Sequence, residues 1–138
     1  MRRAALCLVI LLTFLVSASG QTRTVRKLHL LNQAGPVPPT MIFTPAKPGM
    51  FRVSVSMVLT QAASGGGDYI GLVGSKYGQT TGSTVMPFYF YVASIDNGIN
   101  GGVTTAMSDA GQPIVFSTVE FGNVTGAKYD VYIVVERL

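Results

Sequence analysis

Few residues in this sequence can do chemistry on their own. His29 is the single histidine and Cys7 the single cysteine. A nucleophilic triad needs a histidine oriented by an acid beside an activated serine. No Gly-x-Ser-x-Gly motif is present, and His29 reads as an ordinary strand residue. A zinc site draws several ligands from imidazole, thiolate and carboxylate, and one histidine with one cysteine does not supply the usual set. The six acids are Asp68, Asp96, Asp109, Glu120, Asp130 and Glu136. A glycosidase needs two of them opposed across a sugar, yet none sits in a motif and there is no tryptophan for a sugar to stack on. Asp96-Asn97-Gly98-Ile99-Asn100-Gly101 places oxygen ligands at positions one and five and glycine at six, as a calcium loop does. Position three is Gly98 and position twelve is Met107, so a hairpin turn is the better reading, with calcium near Asp96 left open. Gly65-Gly66-Gly67 is not followed by the Lys-Ser/Thr and helix of a phosphate cradle. Asn123-Val124-Thr125 has the form of a glycosylation sequon, which matters only in a eukaryotic secretory pathway. The expectation is therefore no catalytic residue, no cofactor and no metal ligand.

The first 20 residues read as an address. Met1-Arg2-Arg3 is basic, Ala4 to Val16 is apolar apart from Thr13, and Ser17 to Gly20 are small. That is the three-part pattern of a secretory signal peptide. The apolar run is shorter than the roughly 20 residues a spanning helix needs. Cleavage after Gly20 has Ala18 at −3, and cleavage after Ala18 is the alternative. Residues 21–138 then form one domain, secreted or periplasmic, and its lack of cysteine fits a bacterial exported protein. Cys7 leaves with the leader, so the domain has no disulfide and is held by its core or by partner copies. Removing Arg2 and Arg3 leaves eight basic residues against six acids. Arg23, Arg26 and Lys27 are too small a cluster for a phosphate-binding stripe, so no nucleic acid is expected. No later segment predicts stable membrane insertion.

The segments that must position these residues read as short strands, rich in Val, Ile, Thr, Phe and Tyr and separated by Gly, Pro, Asn and Asp. The spacing predicts strands over Val25–Leu31, Thr40–Thr44, Met50–Gln61, Tyr69–Val73 with a possible extension to Tyr77, Thr84–Ile95, Val103–Met107, Pro113–Phe121 and Lys128–Arg137. Gly35 to Pro39 is a rigid connector. Gly78 to Ser83, Asp96-Asn97-Gly98 and Asn100-Gly101-Gly102 read as turns. In Met50–Gln61, Phe51, Val53, Val55, Met57 and Leu59 alternate with polar residues, the period of a half-buried strand. About eight such strands predict an all-β, two-sheet antiparallel sandwich of jelly-roll type.

Two strands carry apolar residues on both faces. Tyr129, Val131, Ile133 and Val135 form one face of the last strand, while Tyr132 and Val134 stand on the other. Phe88-Tyr89-Phe90-Tyr91-Val92 has the same character. An outward sandwich face is ordinarily polar, so Phe88, Tyr89, Phe90, Tyr91, Tyr132 and Val134 are candidate interface residues, with cover by the chain's own loops as the alternative.

Gly49-Met50-Phe51-Arg52-Val53-Ser54-Val55-Ser56, preceded by Phe43-Thr44-Pro45, has the form Gly-x-aromatic-x-apolar-x-apolar. It resembles the central strand of complement globular-domain and tumour-necrosis-factor-like jelly rolls. Tyr69-Ile70-Gly71-Leu72-Val73 after a loop and the apolar C-terminal strand are similar too. The resemblance implies trimers built around aromatic and aliphatic faces. Leu31-Asn32-Gln33, the Gly49–Val55 strand and Tyr132-Ile133-Val134-Val135-Glu136 also resemble exported proteins of soil bacteria, a family with no assigned activity. The resulting expectation is a secreted, non-enzymatic binding or structural module of fibre-tip or surface-interaction type. Its expected partners are its own copies, as a trimer or dimer, and a protein or glycan ligand. The alternative is a small secreted hydrolase using carboxylates near Asp96 and Asp109.

Overall fold

The computed structural model describes residues 22–78, 80–93 and 99–138. The expected signal peptide, Asp96, and the side chains of Phe88 and Tyr89 lie outside the described residues. Eight strands follow in order: β1 Arg23–Gln33, β2 Thr40–Phe43, β3 Gly49–Gln61, β4 Gly67–Tyr77, β5 Thr80–Tyr91, β6 Ile99–Ser108, β7 Ile114–Gly122 and β8 Lys128–Arg137. They form two four-stranded sheets with orders β1-β8-β3-β6 and β2-β7-β4-β5.

The order has a simple physical origin. β1 pairs with β8, β2 with β7, β3 with β6 and β4 with β5, all antiparallel. The chain is thus one long hairpin, closed at the β4–β5 turn and rolled so that successive pairs fall alternately into the two sheets. The added β3–β8 and β4–β7 ladders complete each sheet. This is the jelly roll, and rolling is how a long two-stranded ribbon buries one face of each sheet.

The inward residues are those that alternation selects. Phe51, Val53, Val55, Met57 and Leu59 of β3 are buried, as are Tyr129, Val131, Ile133 and Val135 of β8. Tyr69, Val73, Phe90, Ile114 and Phe116 face them from the second sheet. Aromatic contacts bridge the layers: Tyr69 to Tyr129 at 4.6 Å, Phe90 to Tyr129 at 5.9 Å and Phe43 to Phe51 at 5.4 Å between ring centroids.

Two expected turns are strand instead. Thr80, Thr81, Gly82 and Ser83 pair with Tyr77, Lys76, Ser75 and Gly74, so the β4–β5 hairpin reverses directly after Tyr77 and the polar stretch from Thr80 is ladder. Gly78, at φ 60°, takes the left-handed conformation that such a tight turn requires. Likewise Asn100, Gly101 and Gly102 pair with Met57, Ser56 and Val55. Glycine is needed there for closeness rather than for turning, because a Cβ at Gly101 would lie 2.6 Å from the Val55 carbonyl oxygen.

Candidate functional site

On the outer face of the β1-β8-β3-β6 sheet, the registers align residues into rows. Lys27, Val134, Ser54 and Val103 make one row, and His29, Tyr132, Ser56 and Gly101 make the next. The small Ser54, Ser56 and Gly101 leave a shallow trough of about 310 Å³ between Tyr132 and Val134 on one side and Val103 on the other. Tyr132 and Val134 are half-buried here. Part of their cover comes from their own sheet, since the His29 ring stands edge-on to Tyr132 at 4.7 Å. The row beyond holds Glu136 and Arg52, joined at 2.7 Å. The hydrogen bond from Arg52 holds the Glu136 carboxyl below its ordinary range. This face is mixed rather than apolar.

The outer face of the β2-β7-β4-β5 sheet is the more hydrophobic. Tyr91, Asp68 and Phe121 lie in one row. Val119 lies opposite Ile70 in the next, Leu72 follows, and Met41 lies opposite Val115 at the far edge. Phe121 keeps 54% of its surface exposed, Met41 65% and Tyr91 47%. The sequence carried a signal for this surface. Tyr69-Ile70-Gly71-Leu72-Val73 has apolar residues at both parities, and β7 carries Val115, Val119 and Phe121 outside its inward Ile114 and Phe116. Of the candidate interface residues, Tyr91 points outward, whereas Phe90 is fully buried against Tyr129.

Two of the acids, Asp109 and Asp130, hold backbone amides. The Asp109 carboxylate accepts a hydrogen bond from the Gly78 amide, clasping the β4–β5 turn. Asp130 accepts one from the Asn32 amide at 2.8 Å, steadying the irregularity in β1 where Asn32 has φ 54°. Among the described residues, no three of the His, Cys, Asp and Glu side chains come together as a metal site.

A buried polar cluster was not anticipated. The Val37 amide donates to Thr118 Oγ1 at 2.8 Å, Thr118 Oγ1 lies 3.2 Å from the Tyr129 hydroxyl, and that hydroxyl donates to the Gly35 carbonyl at 2.8 Å. Since the Tyr129 proton goes to Gly35, the Thr118 hydroxyl proton goes to Tyr129. The result is one directed chain that clamps the proline connector onto β7 and β8. Burial is the main reason the Tyr129 hydroxyl is pushed up to about 12. Tyr69 beside it is also raised, again mainly by burial. No periodicity signals this cluster, because Gly35, Thr118 and Tyr129 are far apart in sequence.

Compared with known proteins, the chain matches no family model and no curated relative.

Proposed function

We propose that this chain is an exported, non-enzymatic binding or structural module that works as an assembly of its own copies. The carrying observation is the outer face of the second sheet, where Tyr91, Phe121, Val119 and Met41 are exposed beside Ile70 and Leu72. Several large apolar side chains exposed on one sheet face, here around Asp68, support a contact surface. The roles of Asp109 and Asp130 in holding backbone support the non-enzymatic reading. The basic, apolar and small segments of residues 1–20 support export. Trimerisation and surface or fibre-tip roles follow from the jelly-roll resemblance.

The test uses protein recovered from outside the cytoplasm, which should begin near Gln21. At micromolar concentration the wild type should sediment as a closed oligomer, and Phe121→Glu should reduce its mass by forcing a charge into the apolar contact. Tyr132→Glu reports on the mixed face in the same way. A wild type that is monomeric under these conditions removes the reading, as does protein that keeps its leader inside the cell.

A further inference from the structure

We propose that the cleft between the edge strands β1 and β2 binds a small alkyl carboxylate, with its chain against Val25, Ile42 and Phe43 and its carboxylate on Arg26. The cleft lies between the two sheet edges and shares only Met41 with the exposed apolar face. The proposal holds whether or not copies of the chain associate.

β1 and β2 border different sheets and do not pair with each other. Each carries a register irregularity where it lines the cleft. In β1 the pairing passes from Thr24–Glu136 to Arg26–Val135, leaving Val25 as the extra residue. In β2 it passes from Met41–Val115 to Phe43–Ile114, leaving Ile42 as the extra residue. An extra residue bends its strand and re-aims side chains, and such bulges recur beside active sites. Here both turn consecutive residues inward. Val25 packs against the core, and Arg26 stands in register with buried Val135. Ile42 is buried, and Phe43 packs on Phe51 with ring centroids 5.4 Å apart. Between the two strands is a cavity of about 360 Å³, lined by Val25, Arg26, Met41, Ile42, Phe43 and Thr44.

The lining selects the ligand. Small-molecule sites are clefts of about 300–1,000 Å³, mostly apolar with a few directed polar groups, and this one falls at the small end. Its walls are aliphatic and aromatic, and Met41 is a flexible thioether that adapts to the chain it meets. Among the described residues the lining holds one charge, Arg26, and no acid. No ion pair engages the Arg26 guanidinium among the described residues, and Glu136, a neighbour along β8, is held by Arg52 instead. A guanidinium takes a carboxylate through two parallel hydrogen bonds. The Thr44 hydroxyl donates to the Met41 sulfur at 3.2 Å, a weak acceptor that a carboxylate oxygen outcompetes. An inward charge also keeps an edge strand from pairing, but that role alone calls for neither the irregularity in β2 nor the apolar wall across the cleft.

The test titrates the purified protein with hexanoate and with hexanol, which has the same chain without the charge, and follows backbone amide shifts. Hexanoate should bind saturably and move the amides of Arg26, Ile42 and Phe43. Hexanol should bind about tenfold more weakly or worse, and Arg26→Gln should lose about tenfold in hexanoate affinity, the order of one charge-assisted pair. Arg23→Gln, on the same strand outside the cleft, should bind as the wild type does. Phe121→Glu should too, which separates this site from association through the outer face. Equal binding of hexanol and hexanoate, an unchanged affinity in Arg26→Gln, shifts confined to the trough beside Tyr132, or no saturable shift at all would overturn the proposal.

Discussion

Tyr129 joins the packing of this domain to its hydrogen bonding. Its ring lies between Tyr69 and Phe90, and its hydroxyl links Thr118 to the Gly35 carbonyl in the chain that begins at the Val37 amide. Tyr129→Phe keeps the ring and leaves the Gly35 carbonyl without its donor. A loss of about 1–3 kcal/mol is expected, the desolvation penalty of an orphaned buried group, read from denaturant unfolding. The same hydroxyl makes stability depend on alkaline pH. Its folded value of about 12 lies above the ordinary 10. Its contribution is therefore complete below the unfolded value and is lost as pH rises from the unfolded toward the folded value. The wild type should lose thermal stability across that interval more steeply than Tyr129→Phe. Parallel pH profiles would mean that Tyr129 is not the group responsible. Sequence reading placed Tyr129 inward by alternation, but its hydroxyl partners come from the connector and from β7, and alternation carries no information about them.

β6 shows what can and cannot be read at the scale of an element. β3 and β8 were legible almost to the residue, because Phe51 to Leu59 and Tyr129 to Val135 alternate without interruption. β6 was shortened to Val103–Met107, since Asn100-Gly101-Gly102 carries turn chemistry. Tertiary pairing overrides that preference, and the glycine serves the close approach of β3. Gly101→Ala should accordingly push the two strands apart. The expected cost is about 1–3 kcal/mol, typical of overpacking, measured as a fall in the unfolding midpoint with an unchanged slope. A neutral Gly101→Ala would mean that β6 can retreat from Val55 freely. Thr80–Ser83 has the composition of a turn yet is strand for the mirror reason: Tyr77 already pairs with Thr80, and Gly78 supplies the left-handed conformation of the reversal.

At the scale of the whole molecule, the jelly roll follows from hairpin pairing, and the number and class of strands were already present in the sequence pattern. Apolar residues at both parities of one strand were legible as well. Which outer face carries the more exposed apolar side chains was not. Tyr132 and Val134 drew attention by their position in a hydrophobic strand, yet they sit among Lys27, His29, Ser54 and Ser56. Ile70, Val119 and Phe121 come together only when β4 and β7 pair, a register that spacing alone does not give. The central claim is that these faces are buried by other copies of the chain. Thermal unfolding over a wide range of protein concentration tests it most directly, because association that favours the folded state makes the midpoint rise with concentration. The account predicts such a rise for the wild type and a smaller one for Phe121→Glu; a wild-type midpoint independent of concentration would contradict it.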